Sequence, residues 1–249
     1  MRRASIEEWY DDLAVRVEST RLAGGNRALV VRPAAPLRPG GAPGVLWLHW
    51  LGHHRNDCSQ FLPEAVALAA RGVVSVLPQG TFPWLRRPTG SAVDASEVAA
   101  ELERVRAAVD HLRALEAVAP DRTAIVGHDY GAMYALALRD ADARVVVAAT
   151  PDSSWPHWFL TYWENPAAAP DECRDALEPY DPLAGAAELG DRLVLQWAEQ
   201  DSYVPDHAAA MYAQVTGQAR TFSYPYDHGL GDAAVRDRLE ALCDALDLD

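Results

Sequence analysis

The segment Gly127–Gly131, with the sequence Gly-His-Asp-Tyr-Gly, carries residue types at a spacing that suits covalent catalysis. It follows the apolar run Ala124–Val126 and precedes a helical pattern that starts near Ala132. In the G-x-S-x-G pattern, a tight turn between strand and helix lifts the central side chain above the sheet, and the turn has no room for larger residues at the glycine positions. The central residue here is Asp129, so the raised group is a carboxylate.

A carboxylate at this position favours displacement at a saturated carbon. Attack on an ester would instead give an anhydride and expel a poor alkoxide, whereas epoxides and alkyl halides carry leaving groups that a carboxylate can displace. The product would be an alkyl ester of Asp129, which water activated by a histidine can cleave. The carboxylate needs no activating base because it is already ionised at neutral pH.

Two further side chains stand where this scheme needs them. Asp201 follows the strand-like run Leu193–Trp197, and His228 follows the strand that ends at Tyr224. We expect Asp201 to orient His228, and His228 to activate the water. Glu199, two residues before Asp201, is the rival candidate for the acid.

Short apolar runs alternate with amphipathic helical patterns along the chain, which predicts a mostly parallel sheet with helices on both faces. Typical runs are Val45–Leu48, Val73–Leu77 and Val145–Ala148. The stretch Pro151–Gly190 is too long for a plain connection, and we expect it near the carboxyl ends of the strands, where such sheets bind ligands. We therefore predict one α/β domain over residues 1–249, with a short cap-like insertion at about 151–190.

The chain resembles the α/β-hydrolase superfamily from Val45 to the last helix. Asp129, Asp201 and His228 fall in the superfamily's order of nucleophile, acid and histidine. The resemblance therefore implies an α/β-hydrolase fold with these three residues as the catalytic set.

The segment His49-Trp50-Leu51-Gly52, directly after the strand Val45–Leu48, resembles the superfamily loop that donates an N–H to an oxyanion hole. The resemblance implies Trp50 and Tyr130 as the residues of the oxyanion hole, the second donor being the N–H that follows the elbow residue. His49 is added as a candidate substrate-binding residue.

Within the superfamily, the Gly-His-Asp elbow is similar to that of epoxide hydrolases and dehalogenases. Tyr130 stands where many of these enzymes have tryptophan, and where the fluoroacetate-type enzymes have an arginine, which disfavours a carboxylate-bearing substrate. The overall length and the sparse cap look more like the dienelactone hydrolases, whose nucleophile is cysteine. The resemblance thus leaves the substrate open among epoxides, halides, and esters or lactones.

Five aromatic side chains in the insertion recur at i, i+3, i+4, i+7 and i+8, which places them on one face of a helix beginning near Pro156. Our interpretation is a lid that lines an apolar substrate pocket together with Tyr203. The alternatives are a helix packed on the body of the domain or a contact between two copies of the chain, so a homo-oligomer stays open. The five are Trp155, Trp158, Phe159, Tyr162 and Trp163.

The two leaving groups make different demands on the pocket. Opening an epoxide needs an acid for the leaving oxygen, and Tyr130, Tyr162 and Tyr203 are the candidates. Releasing a halide needs N–H donors, for which Trp50 and Trp158 are the candidates.

Composition excludes several other classes. With 22 basic and 36 acidic side chains, the net charge of −14 disfavours nucleic acid and anionic membranes as partners. Every basic residue is arginine, which removes the lysine that pyridoxal phosphate and P-loop phosphates require. No cofactor or metal site is indicated, because there is no dinucleotide fingerprint, no CxxC pair and no helical histidine pair, and His53 and His54 tend to point apart.

We expect a soluble, cytoplasmic enzyme acting on a small, apolar molecule. Two alternatives remain beside the covalent scheme. In one, Asp129 is a general base in ester or lactone cleavage by water, or in an elimination, isomerisation or cyclisation. In the other, the chain is a non-catalytic binding module.

Overall fold

The computed structural model describes residues 14–37, 39–52, 57–163 and 169–248. The pair His53 and His54 and residues 164–168 of the insertion lie outside these ranges. None of the helices within the described ranges is long and apolar enough to cross a membrane.

An eight-stranded sheet forms the centre of the molecule, in the order β1-β2-β4-β3-β5-β6-β7-β8. The first two strands pair antiparallel, β2 is antiparallel to β4, and the other neighbours are parallel. The mostly parallel sheet predicted from the alternating apolar runs is confirmed. The strands are β1 Val15–Arg21, β2 Arg27–Pro33, β3 Ala42–Leu48, β4 Val74–Pro78, β5 Val118–His128, β6 Ala143–Ala149, β7 Leu193–Ala198 and β8 Arg220–Tyr224.

Helices cover both faces of the sheet. One core layer contains Val98 and Leu102 of α2 with Met133 of α3, and the other contains Val66 of α1 with Leu242 of α8. The helices are α1 Leu62–Ala69, α2 Val93–Ala114, α3 Tyr130–Leu138, α4 Trp155–His157, α5 Pro170–Leu177, α6 Pro182–Leu189, α7 His207–Thr216 and α8 Gly231–Ala245.

The stretch after β6 differs from the single aromatic helix that the spacing predicts. Helix α4 is one short turn and continues as a π-helix over Trp158–Tyr162. The wider π turn changes the angle between successive side chains, so the five aromatic residues do not share one α-helical face. Trp155 and Phe159 are buried in the core layer of α2 and α3, whereas Tyr162 is 37% exposed.

Candidate active site

Asp129 sits on a strained turn between β5 and α3. Its backbone has φ 55° and ψ −119°, a conformation that a non-glycine residue adopts only when the surroundings hold it there. A Cβ on Gly127 would overlap the carbonyl oxygen of Gly131, and a Cβ on Gly131 would overlap that of Leu48. Both glycines are therefore required by the close approach of the backbone, as the turn pattern predicts.

The Asp129 carboxylate lies in a largely desolvated position. Its Oδ2 accepts a hydrogen bond from the N–H of Leu51 at 3.0 Å. Its Oδ1 is buried and has no hydrogen-bond partner among the described residues. Burial raises the pKa of Asp129 to about 6, and the charge of His228 and the Leu51 N–H only partly oppose that rise. One carboxylate oxygen is thus held while the other is unsatisfied.

His228 and Asp201 form a hydrogen-bonded pair beside this carboxylate. His228 Nδ1 lies 2.7 Å from Asp201 Oδ2, and His228 Nε2 lies 4.0 Å from Asp129 Oδ2. Asp201 is fixed because its other oxygen accepts the backbone N–H groups of Tyr203 and Val204. Glu199 is exposed, so the structure brings Asp201 and not Glu199 to the histidine.

The charges of Asp129, His228 and Asp201 shift one another's pKa values. Burial lowers the pKa of His228, but the hydrogen bond that its Nδ1 donates to Asp201 and the charges of Asp129 and Asp201 outweigh it, so the net shift is upward. Burial raises the pKa of Asp201, but the hydrogen bond and charge of His228 and two backbone N–H groups bring it below its usual value. An imidazolium between two carboxylates is therefore favoured.

The prediction that Trp50 supplies the N–H of the loop after β3 is wrong. The Trp50 N–H donates to Gln60 Oε1 at 2.7 Å, and the N–H that reaches Asp129 belongs to Leu51. Tyr130 opens α3, whose first N–H groups have no partner within the helix, so its role as the second donor stays a prediction.

His49 forms hydrogen bonds with the backbone of this loop and of Gly80. Its position does not support the prediction that it binds substrate. Its Nδ1 donates to the Trp50 carbonyl at 2.9 Å, and its Nε2 accepts the Gly80 N–H at 3.0 Å. Burial lowers the pKa of His49 to about 4, so it is neutral, as this bonding pattern requires.

A chain of hydrogen bonds joins this loop to the histidine loop. Gln60 Nε2 donates to His128 Nδ1 at 2.8 Å, and His128 Nε2 donates to the carbonyl of His228 at 2.9 Å. The direction is self-consistent because a carbonyl only accepts, which fixes the proton on Nε2 and leaves Nδ1 to accept. Burial holds the pKa of His128 well below its usual value, so the ring is neutral. Nothing in the sequence pattern singles out Gln60.

A cavity of about 280 Å³ opens above Asp129. Three of the predicted substrate-binding residues, Trp158, Tyr162 and Tyr203, line it. Trp163 instead borders a neighbouring groove. The described residues that line it are Trp50, Leu51, Gly52, Asp129, Tyr130, Trp158, Tyr162, Ser202, Tyr203, Asp227, His228 and Gly229.

Trp155 and Phe159 do not have the substrate-binding position predicted for them. The indole N–H of Trp155 donates to the carbonyl of Tyr180, and its ring packs on Tyr134 with centroids 4.8 Å apart. Phe159 is fully buried and stacks on Tyr130. The π-helix turns these two rings into the core beneath the cavity.

Two indole N–H groups at the cavity are buried and without a hydrogen-bond partner in the part of the chain that the structure describes. They belong to Trp50 and Trp158. The Trp50 ring stacks on two imidazoles that also contact each other, with its centroid 4.8 Å from that of His128 and 5.9 Å from that of His228. Buried donors of this kind are costly unless a ligand satisfies them. In the same described ranges, no cluster of three or more His, Cys, Asp or Glu side chains is arranged to hold a metal ion.

Comparison with known proteins shows the fold and no closer relationship. The sequence matches no protein-family model and no curated protein. Among solved structures, dipeptidyl peptidase 4 from Porphyromonas gingivalis aligns with a TM-score of 0.69 at 19% identity, over 94% of this chain and 36% of that one. The chain therefore spans about a third of the length of this peptidase.

Two smaller proteins align over nearly their whole length. An acetyl xylan esterase from Paenibacillus sp. R4 has a TM-score of 0.68 at 16% identity, covering 98% of this chain and 95% of that one. A protein described as a dienelactone hydrolase, from Klebsiella pneumoniae subsp. pneumoniae, has a TM-score of 0.65 at 13% identity, covering 94% and 99%. The chain has the α/β-hydrolase fold, as its landmarks predict.

Proposed function

We propose that the protein is a hydrolase in which Asp129 forms a covalent ester with the saturated carbon of a small, largely apolar substrate. The observation that carries this proposal is a buried carboxylate at the strained turn, with an N–H on one oxygen and the His228–Asp201 pair beside it. Serine and cysteine suit acyl transfer at this position, whereas a carboxylate suits displacement.

In the first step, an Asp129 oxygen attacks the carbon that carries the leaving group. A C–O bond forms, the bond to the leaving group breaks, and that group departs with the electron pair. Desolvation favours this step because a buried carboxylate gives up little hydration when it reacts. The N–H of Leu51 fixes the orientation of the carboxyl group.

In the second step, His228 accepts a proton from water, and the resulting hydroxide adds to the carboxyl carbon of the Asp129 ester. The intermediate collapses, the alcohol leaves, and the proton passes to it or to solvent. Alkylation removes the charge of Asp129, which is one cause of the raised pKa of His228. Removing that charge lowers the pKa of His228, which favours release of the imidazolium proton to solvent and leaves an imidazole that can act as the base.

A halide is the leaving group that the pocket chemistry favours. The indole N–H groups of Trp50 and Trp158 are buried and unsatisfied by other described residues, and both residues line the cavity that contains Asp129. Two N–H donors can stabilise a departing halide without transferring a proton to it.

An epoxide is the second candidate, favoured by two tyrosines at the same cavity. Tyr162 and Tyr203 both line it, with ring centroids 5.9 Å apart. Burial and the nearby Tyr203 and Asp129 raise the pKa of Tyr162, which keeps its hydroxyl protonated. A phenol of this kind can protonate the oxygen of an opening epoxide.

The proposal is tested by single-turnover reactions in heavy-oxygen water with 1-bromohexane, 1,2-epoxyhexane and hexyl acetate. We expect unlabelled oxygen in the first alcohol product and label in Asp129. His228→Gln should accumulate a hexyl ester or hydroxyhexyl ester on Asp129, detected by mass spectrometry of the peptide. Label entering the product directly, with no ester in the variant, would instead support the general-base alternative. Bromide release or diol formation then identifies the leaving group.

A further inference from the structure

A groove of about 400 Å³ adjoins the cavity above Asp129 and differs from it in chemistry. The two spaces share Leu51, Gly52 and Tyr162 in their walls, so Tyr162 is the boundary between them. Five aromatic residues line the cavity, whereas Arg86 and Arg87 line the groove.

Of the two arginines among the described residues of this groove, Arg87 is the one that remains available. Its guanidinium carbon lies 5.4 Å from the ring centroid of Trp163, so a cation–π contact positions it. It has no carboxylate partner among the described residues. Arg86 differs, because it is paired with Glu97 at 2.7 Å and its charge is largely compensated.

Trp163, which contacts Arg87, is linked by a hydrogen bond to the residue that follows Asp129. Trp163 donates its indole N–H to the hydroxyl of Tyr130 at 3.1 Å, and Tyr130 follows Asp129 in the chain. A guanidinium stacked on a ring keeps its N–H edges directed outward, where they match both oxygens of a carboxylate. The groove is thus a positively charged site on a protein whose net charge is −14.

We propose that the substrate carries a carboxylate at the end remote from the reacting carbon, and that Arg87 binds this carboxylate while the apolar part of the molecule occupies the cavity. The inference rests on the proposed function for the position of the reacting carbon. It adds an anionic end to the apolar substrate expected from the sequence. The inference does not extend to a carboxylate on the reacting carbon itself, because the residue after Asp129 is Tyr130 and not an arginine.

Opposing charge near the cavity lies on the other wall. Asp227 lines the cavity on the side of His228 and is not part of the groove. Among the described residues that line the groove, the two arginines are the charged ones, and Arg86 shares its charge with Glu97.

Equilibrium binding of unreactive probes tests the inference. Octanoate and octanamide differ in charge and little in shape, and quenching of tryptophan fluorescence reports their dissociation constants. We expect wild-type protein to bind octanoate roughly three- to ten-fold tighter than octanamide at low salt, the range for one charge-assisted contact that is partly exposed. The preference should shrink in 0.5 M NaCl because salt screens an exposed pair.

Arg87→Gln should remove the preference for octanoate while leaving the affinity for octanamide unchanged, which also shows that the variant is folded. Arg86→Gln is the matched control and should keep most of the preference. Acetate and acetamide should bind alike, because they are too short to reach from the cavity to the groove. Equal binding of octanoate and octanamide to wild-type protein, or the same preference in Arg87→Gln, would overturn the inference. Binding needs no covalent step, so this result is independent of the ester-trapping experiment.

Discussion

Asp129 combines two unfavourable features in a single residue. Its backbone is in a conformation that costs roughly 1–3 kcal/mol for a non-glycine residue. Its carboxyl group is 2% exposed, so the charged form loses the hydration that an unfolded chain would give it. Both features place a reactive oxygen at the cavity, and both should be visible as a loss of stability.

Asp129→Asn should therefore abolish turnover and stabilise the protein at neutral pH. The folded pKa of about 6 lies above the ordinary value of 3.8, so ionisation disfavours folding by up to about 3 kcal/mol. Below about pH 4 Asp129 is protonated in both states and does not reduce the free energy of unfolding. The penalty for ionising it in the folded state develops as the pH rises through about 6. We expect the gain in the variant to be near zero at pH 4 and largest at pH 8, measured by urea unfolding.

Asp201→Asn is the matched control with the opposite sign. The pKa of Asp201 is held below its ordinary value, chiefly by the hydrogen bond from His228 acting against burial, so its carboxylate stabilises the fold above pH about 4. The variant should be less stable than wild type at pH 7, with the difference closing as pH falls. A loss of stability in Asp129→Asn at pH 8 would contradict the desolvated position of that carboxylate.

The rate of ester formation should follow the ionisation of Asp129. Only the carboxylate is a nucleophile, so the single-turnover rate with 1-bromohexane should fall ten-fold per pH unit below about 6. In His228→Gln the acid limb should move to higher pH, because the charge of His228 lowers the pKa of Asp129. Bromide release measured between pH 4.5 and 8 gives the pH–rate profile of both proteins. A wild-type rate that stays constant down to about pH 4 would rule out a raised pKa of the nucleophilic carboxylate.

At the residue level, the sequence predicts side chains better than it predicts backbone donors. Asp129, Asp201 and His228 are found together because chain order and strand ends determine where they lie. The loop donor is Leu51 and not Trp50, since a shift of one residue reverses which way an N–H points and no composition signal records it. The sequence does not predict the role of Gln60, because its partners, the Trp50 N–H and His128, are far apart in the chain.

Among the structural elements, the hydrogen bonds of Gln60 and His128 hold the loop after β3 against the loop that carries His228. Gln60→Ala would leave the Trp50 N–H and His128 Nδ1 unpartnered, at a cost of about 1–3 kcal/mol in stability. We also expect kcat to fall by about ten-fold with little change in KM, because the nucleophile and base lose their register while the cavity lining is kept.

Gln200→Ala is the control for that variant. Gln200 is exposed, and among the described residues its side chain donates to the carbonyl of Pro225 at 3.3 Å, so loss of this side chain should change neither stability nor kcat. Gln60→Glu gives a second readout, because its carboxylate still accepts the Trp50 N–H but offers no N–H to His128. A kcat in Gln60→Glu equal to that of wild type would show that the link through His128 does not position the histidine loop.

The element that sequence periodicity predicts least well is the aromatic stretch after β6. A spacing of three and four residues indicates an α-helix, but the chain takes up a π-helix over Trp158–Tyr162. Packing determines this outcome, since Trp155 and Phe159 fill the space above α3. Tertiary contacts of this kind come from distant segments, and a local pattern does not record them.

At the scale of the whole molecule, the alternation of apolar runs and helices predicts a mostly parallel sheet with helices on both faces, and the family resemblance adds the specific fold. Buried parallel strands have to be apolar on both faces, so β3, β4 and β6 are recognisable from composition alone. The single-domain organisation is a separate prediction. It depends on whether the insertion after β6 unfolds with the rest of the chain.

Two buried cysteines test that cooperativity. Cys173 of α5 is fully buried in the core layer of α2 and α3, and Cys58 is 2% exposed in the layer on the other face. Burial raises the pKa of each thiol to about 11, so both react only after opening.

Because the insertion shares its core layer with α3, we expect the two thiols to be modified by a disulfide reagent with the same opening free energy in a Cys243→Ser background. That free energy should equal the global value from circular dichroism. Faster labelling of Cys173 than of Cys58 would mean that the insertion opens as a separate lid, and the single cooperative domain would then be wrong.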